Sequence, residues 1–337
     1  MRRVKAEDID METVIECFKD VVAVPTETVY GLAADIRCES AVERIFELKG
    51  RPGDNPLIVH VCSIDMLKSI ISEPIPKEYQ RLIDRFWPGP LTLLFKTKCD
   101  ISLRVRGGLD TVAVRMPGNK CFLNIIERLG APIAAPSANI SGRPSPTSAD
   151  HVIEDFGERI GLVIDGGPCS VGLESTVVSM MEGKLHVLRP GGISLEELTE
   201  VACCDVVVSN KMLENGKVYS PGQKYKHYSP TARLILFKGP ENEIGERMQE
   251  YILSNLKVKK WGIALHSNVC IGKIDDKSKV NIFDMGCEKR VISRRLFEGI
   301  RSLDKVSEVI LVAGVTLSGE GSAIMDRLER ASDMIFE

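Results

Sequence analysis

The chain has 337 residues, an apolar fraction of 44%, few aromatics at 5% and a formal charge of -3. That length predicts two domains or one large one, and the mild charge removes a global electrostatic case for nucleic-acid binding while leaving a local basic cleft open. The start, MRRVKAEDIDMET, turns acidic before any long apolar run, and no stretch of about 18 apolar residues occurs, so neither a signal peptide nor a membrane span is expected.

In chain order, the first helix is expected over residues 10–20, with Val14, Ile15 and Phe18 as its apolar stripe. VVAVPTETVYG reads as a buried strand leaving into a loop. Ser40 and Glu43 have capping-box spacing; Val42, Ile45, Phe46 and Lys49 follow on a helix that Gly50 ends. NPLIVHV predicts a strand, and a helix over residues 79–86 stops at WPGP. LTLLFKT and TVAVRMP read as strands, CFLNIIERLG as a helix and PIAAPSA as a strand. LVIDGG, STVVSM and HVLRPGG complete an α/β region ending near Ile193. In the second half, the strands RLILFKG, GIALHS and VILVAGV are separated by helices over residues 243–256, 291–303 and 322–330. That is βαβ logic, with a mostly parallel sheet covered by helices.

Between the halves lies SPGQKYKHYSP, which packs Lys224, Tyr225, Lys226, His227 and Tyr228 between prolines. A passive linker has little use for two tyrosines and a histidine; a strap crossing an anionic, aromatic ligand has use for all of them. The division expected is residues 1–205, a strap over 206–232 and a second domain over 233–337. The ten cysteines form no Cys-x-x-Cys pair and the histidines no His-Glu-x-x-His motif, so a zinc ribbon, a thioredoxin-like centre or any other metal site is not expected. The cysteines read as small buried thiols of a protein in a reducing cytosol.

Several segments carry candidate chemistry. Lys49 and Arg51 stand at a helix end, where a solvated basic cap is the plain reading. Pro52, Gly53, Asp54, Asn55 and Pro56 shape a turn able to fix the guanidinium and Asn55 toward a phosphate. Ser137 and Asn139 leave an apolar strand at its carboxyl end, where open α/β sheets bind ligands, and Ser145 adds a donor; ordinary Asx or Ser turns are the alternative. Arg104, Arg106 and Arg115 flank or occupy adjacent strand-like segments. A charge inside VAVRMP is costly unless paired or ligand-bound. Arg189 feeds a glycine turn, and His60 ends a strand. GxxxxGK[ST], a convincing GxGxxG and GxSxG are all absent, so a nucleotide here needs a less common cradle.

Taken together, PTETVYGLAAD, KGRPGDNPLIVH, FWPGPLT, VAVRMP, APSANISGRPSPT, ESTVV, LRPGG and the PG-x-KY-x-HY-x-P strap resemble, in order, the YrdC/TsaC-type threonylcarbamoyl-AMP synthases in their long two-domain form. The resemblance implies a twisted mixed-sheet catalytic domain of that type followed by a smaller Rossmann-like three-layer α/β domain. It also implies a nucleotidyltransferase joining L-threonine, bicarbonate or carbon dioxide, and ATP, with Mg²⁺. The product feeds a transferase complex that modifies tRNA. Lys49, Arg51, Ser137 and Asn139 match the family's catalytic elements; Thr28, His60, Arg115, Ala135 and Ser175 match threonine-contacting positions. Arg51, Asn55, Thr111, Ser137, Ser145 and Arg189 match ATP-contacting ones, and Tyr225 and His227 the strap positions closing over the site. Gln223 and Lys226 replace the Met and Arg of the commonest strap, and Ala34 stands where Gly is frequent.

The competing reading is a tRNA or double-stranded RNA binding module that sets Lys49, Arg51, Arg104, Arg106 and Arg115 against phosphates. A carbamoyl-transfer enzyme of the hydrogenase-maturation type is disfavoured because the cysteine pairs of its zinc fingers are absent. A scaffold with a relict pocket is disfavoured by the intact polar set.

Overall fold

The computed structural model describes residues 1–98, 100–209, 227–266, 268–272 and 279–337. The chain divides into two compact units, Met1–Ser141 with Ser145–Tyr225, and Gly142–Pro144 with Lys226–Glu337.

The first unit is built on one mixed sheet. Its strands are β1 (Arg2–Lys5), β2 (Val22–Val24), β3 (Gly31–Asp35), β4 (Ile58–His60), β5 (Leu91–Lys96), β6 (Thr111–Arg115), β7 (Ile133–Ala134), β8 (Leu162–Asp165), β9 (Thr176–Met181), β10 (Lys184–Arg189) and β11 (Val206–Val208). They lie in the order β1-β8-β2-β3-β7-β4-β6-β5-β9-β10-β11. Because side chains alternate across a strand, each face gets its own core. Val59, Leu93, Val112, Val114 and Val178 join the larger core, with Ile45 and Phe46 of helix Glu39–Lys49. On the other face Val22, Val24, Ala33, Leu162 and Ile164 pack against Val14 of helix Met11–Cys17 and Phe122, Ile125 and Ile126 of helix Lys120–Leu129. Further across that face, Ile58, Leu94, Ala113, Val177 and Leu188 form a small separate apolar cluster.

Local chemistry explains the helix ends and corrects some expectations. Asp10 caps the first helix through Thr13, but the helix stops at Cys17, short of residue 20. Helix Glu39–Lys49 starts after Cys38 without a side-chain cap, so Ser40 and Glu43 make no capping box. Glu43 instead pairs with Arg104, whose guanidinium also lies 4.3 Å from the Phe46 ring centroid. Gly50 ends the helix at φ 60°, a left-handed turn that glycine adopts without a Cβ penalty. Arg104 and Arg106 sit on a short helix, Leu103–Arg106, rather than beside a strand. Val206–Val208, expected as the start of the strap, pairs in parallel with β10 as the last strand of the sheet. Three consecutive β-branched residues favour that extended pairing. The cysteines are less buried than expected: of the nine described, only Cys169 is buried, and Cys203, Cys270 and Cys287 are exposed.

Among its described residues the second unit has five strands, β12 (Arg233–Phe237), β13 (Trp261–Leu265), β14 (Val280–Asp284), β15 (Val309–Ala313) and β16 (Met334–Phe336), in the order β14-β13-β15-β12-β16. Every pairing is parallel. Ile235, Phe237, Ile263, Leu265 and Leu311 pack on Ile244, Met248 and Ile252 of helix Glu241–Ser254. The alternate residues Leu234, Leu236, Ala264, Ile310 and Val312 are equally buried on the opposite face. Helices Lys289–Asp304 and Gly321–Ala331 also lie against the strands, giving the expected three layers. Among the described residues, no helix is long and apolar enough to cross a membrane.

Of the tyrosine-rich strap, Lys224, Tyr225 and Lys226 fall outside the described residues. Its carboxyl end is anchored in the second unit. The Tyr228 ring lies 5.5 Å from Phe297, the Arg327 guanidinium 5.3 Å from the Tyr228 centroid, and Ser229 Oγ donates to the Ala331 carbonyl at 3.2 Å. Tyr228→Ala should therefore lower the stability of the second unit by about 3 kcal/mol, as expected for truncating a buried aromatic. A shift of its urea midpoint to lower concentration checks this.

Candidate active site

The register of the first sheet lines up a row of side chains that are distant in sequence. His60 pairs with Arg115, Arg115 with Thr92, Thr92 with Val177, and Val177 with Arg189. Arg115, 4% exposed, is the buried charge at the centre. Its Nη2 donates to Glu27 Oε1 at 2.5 Å, its Nη1 to Thr28 Oγ1 at 2.8 Å and its Nε to the Gly89 carbonyl at 3.1 Å. The loop after β2 that carries Glu27 and Thr28 is held from outside: the Val171 and Gly172 N–H groups donate to their carbonyls. Beyond Arg115, Thr92 Oγ1 and Ser175 Oγ lie 2.7 Å apart, and Arg189 donates to the Ser175 carbonyl at 3.0 Å and to its hydroxyl at 3.2 Å. A register shift between Val187 and Arg189 re-aims the end of β10.

A second group forms where helix Glu39–Lys49 ends. Lys49 is not a solvated cap: it is 1% exposed, and its ammonium donates to the carbonyls of Ser137 and of Asn139, the latter at 2.7 Å. The Ser141 N–H donates back to the Lys49 carbonyl. Arg51 is fixed by its own turn, donating to Asn55 Oδ1 at 2.7 Å and to the Pro56 carbonyl at 2.8 Å. Ser145 Oγ donates to Glu174 Oε1 at 2.5 Å. Glu174 adjoins Ser175 in sequence, so this segment ties the second group to the row.

The two groups bracket the small apolar cluster. Ala135 donates to the Ile58 carbonyl, which places Ser137–Asn139 where β4 begins, whereas His60 marks where β4 ends. Thr111 shares a face with Arg115 from the far end of β6, four residues or roughly 13 Å away. In a mixed sheet the carboxyl-end rule for parallel strands selects no single edge, so Ser137–Asn139 and the Arg115 row occupy opposite ends of one face. Polar groups at both ends of an apolar floor suit an extended ligand with an apolar or aromatic middle.

The chain resembles known proteins over nearly its whole length. The family model described as "Telomere recombination" matches residues 19–191, and that described as "Threonylcarbamoyl-AMP synthase, C-terminal domain" matches residues 193–333. A threonylcarbamoyl-AMP synthase of Pyrococcus abyssi is 44% identical over 317 residues, covering 93% of this chain and 90% of that protein. One from Bacillus subtilis is 41% identical over 323 residues, covering 93% and 89%. The crystal structure of P. abyssi Sua5 complexed with L-threonine superposes with a TM-score of 0.89 at 41% identity, covering 99% of each chain. The chain belongs to the threonylcarbamoyl-AMP synthase family.

Against the positions that membership suggests, the structure brings Thr28, His60, Arg115 and Ser175 into one row or beside it. It brings Lys49, Ser137 and Asn139 into direct contact through main-chain carbonyls rather than side chains. Arg51 and Asn55 are bonded to each other, and Arg189 is held against Ser175. Sequence reasoning missed Glu27, Thr92 and Glu174. A buried arginine demands a carboxylate, but PTET gives no sign of which distant strand its glutamate serves. A threonine inside LTLLFKT looks like ordinary strand composition.

Burial sets the protonation of the site. Desolvation and then the Arg115 charge push His60 down to about 3, so its ring is neutral at ordinary pH. Burial, reinforced by Arg51, pulls Lys49 well below the usual lysine range, while Asp155 and Glu174 act in the opposite direction. For His60 the folded form binds its proton less readily than the unfolded one, so this histidine costs no stability above pH about 6.5. Its cost grows by roughly 1.4 kcal/mol per pH unit as acid protonates the unfolded state, and levels off below the folded value. His60→Gln should accordingly flatten the fall of unfolding free energy between pH about 6.5 and 4, measured by urea titration.

Proposed function

We propose that this chain joins L-threonine, bicarbonate or carbon dioxide, and ATP into threonylcarbamoyl-AMP and pyrophosphate, the activated group for threonylcarbamoyladenosine in tRNA. The observation that carries the reading is the floor of Ile58, Leu94, Ala113, Val177 and Leu188, with the Arg115 row at one end and the Lys49–Ser137–Asn139 group at the other. Threonine belongs at the row. Arg115 receives its carboxylate, and Thr28 and the neutral His60 ring orient its polar groups. ATP lies between the two groups, with Arg189 as its cationic contact at the threonine end and Arg51 and Lys49 at the other.

The amine of threonine, once neutral, attacks carbon dioxide at carbon and releases a proton, giving a carbamate. A carbamate oxygen then attacks the α-phosphorus; the new P–O bond forms as the bond to pyrophosphate breaks. The obstacle is repulsion between the carbamate and the triphosphate. Fixed cations lower that barrier because they need no reorganisation as charge develops. Lys49 suits this, since bound phosphate favours the protonated amine that burial disfavours. Mg²⁺ bound to the triphosphate would add charge neutralisation there, beside Arg51, Lys49 and Arg189. Enclosure matters as well, because mixed anhydrides hydrolyse. The strap with Tyr225 and His227 closes over the ligands in this reading. The product passes to a separate transferase complex in the cytoplasm, and synthesis itself requires no contact with tRNA.

The RNA-binding alternative loses four of its five cations. Arg104 is engaged by Glu43, Arg106 donates to the Ile101 and Leu109 carbonyls of its own loop, and Arg115 and Lys49 are buried. The decisive reaction contains ATP, L-threonine and labelled bicarbonate. Labelled threonylcarbamoyl-AMP should form, and should be absent when serine replaces threonine. Lys49→Ala and Arg51→Ala should each lower threonine-dependent pyrophosphate release by about 10²–10³-fold, the usual cost of one well-placed donor. Unchanged turnover in both would remove them from the mechanism.

A further inference from the structure

Arg115 already has a carboxylate partner from its own chain. Glu27 Oε1 accepts from it at 2.5 Å, while Glu27 Oε2 is buried without a hydrogen-bond partner. His60, paired with Arg115 across the sheet, likewise has its Nδ1 buried without a hydrogen-bond partner. Orphaned buried polar atoms are costly, and two beside one cation point to a ligand that completes them.

The charges indicate which ligand. A simple carboxylate placed on Arg115 would stand beside the Glu27 carboxylate and leave the site one negative charge in excess. An α-amino acid is a zwitterion and carries its own compensation. We propose that Glu27 is the ammonium-binding residue of the site: Glu27 and Arg115 form one dipolar receptor that takes the amino acid's –NH₃⁺ on Glu27 Oε2 and its carboxylate on the guanidinium. This rests on the assignment of threonine to the Arg115 row and extends it to a residue outside the positions suggested by family membership.

The surroundings keep Glu27 suited to this. Burial works to raise its carboxyl, but the Arg115 charge, the Gly118 N–H and the Arg115 hydrogen bond together hold it below the ordinary range, so it stays ionised at neutral pH. A group so acidic is a counter-ion for the ammonium and a poor acceptor of its proton. Gly118 is part of the same seat, since a Cβ there would lie 3.3 Å from the Glu27 carboxyl carbon.

The test compares L-threonine with (2S,3R)-2,3-dihydroxybutanoate, which replaces the ammonium by a hydroxyl, using calorimetric titration of the full chain. The wild-type protein should bind threonine at least about tenfold more tightly than the hydroxy acid, the usual worth of a hydrogen bond to a charged group. Glu27→Gln keeps an acceptor for Arg115 but removes the charge. It should weaken threonine by about 10–100-fold while leaving the hydroxy acid unchanged or tighter, because Arg115 loses its competing anion. If Glu27 only clamps Arg115, both ligands weaken together, and that result overturns the proposal, as does equal binding of the two by the wild-type protein. The wild-type comparison needs no variant and can overturn the proposal even if Glu27→Gln misfolds. Failure of the wild-type protein to bind threonine at all overturns the assignment of threonine itself.

Discussion

A fully charged guanidinium in the middle of a sheet is the constraint around which the first unit is organised. Arg115 ends β6 at 4% exposure, where an unpaired charge would cost several kcal/mol. Its neutralisation needs the loop after β2, which brings Glu27 and Thr28, and the Gly89 carbonyl before β5. Those partners come from segments 26 to 88 residues away. The sheet must therefore be assembled before the charge is satisfied, and once assembled it holds the guanidinium in one orientation. A cation held in this way is preorganised for a carboxylate, and the same low-dielectric setting that makes it costly makes it selective.

Lys49 is a second version of the same design. The ammonium is withdrawn from water and held by two main-chain carbonyls of the 137–139 segment. Carbonyls satisfy its donors but supply no counter-charge, so the group is left with its protonation opposed by burial. Arg51, two residues on and past the helix end, is fixed by Asn55 and Pro56 instead. The two ends of the site thus differ in kind. The Arg115 end is charge-balanced by Glu27, which suits the dipolar ligand proposed for it. The Lys49 end has its charge opposed by burial and by Arg51, which suits the polyanion proposed for it. Between them lies an apolar floor that neither group interrupts.

The second unit contributes a different physical pattern. Its parallel strands are buried on both faces, so they read as unbroken apolar runs, and its chemistry-bearing residues are few. What it contributes to the strap is an anchor. The Tyr228 ring against Phe297 and Arg327 fixes one end of a segment whose sequence is rich in cations and aromatics.

Much of this was legible in the chain itself. Apolar runs such as LTLLFKT, TVAVRMP and RLILFKG specify strands, and Gly50 marks a helix end, because periodicity and backbone freedom act over a few residues. The short strands β1, β3 and β16 were not legible, since three to five residues of mixed or small composition carry little local signal and are extended only because a neighbour pairs with them. The same distinction holds at the site. Arg115 could be singled out from sequence because a charge inside VAVRMP conflicts with its own strand. Its partner Glu27, the Thr92–Ser175 contact and the seating of Lys49 on two carbonyls were decided only by tertiary structure. Each is a bond across 83 to 90 residues, and nothing in local sequence encodes which distant oxygen will arrive.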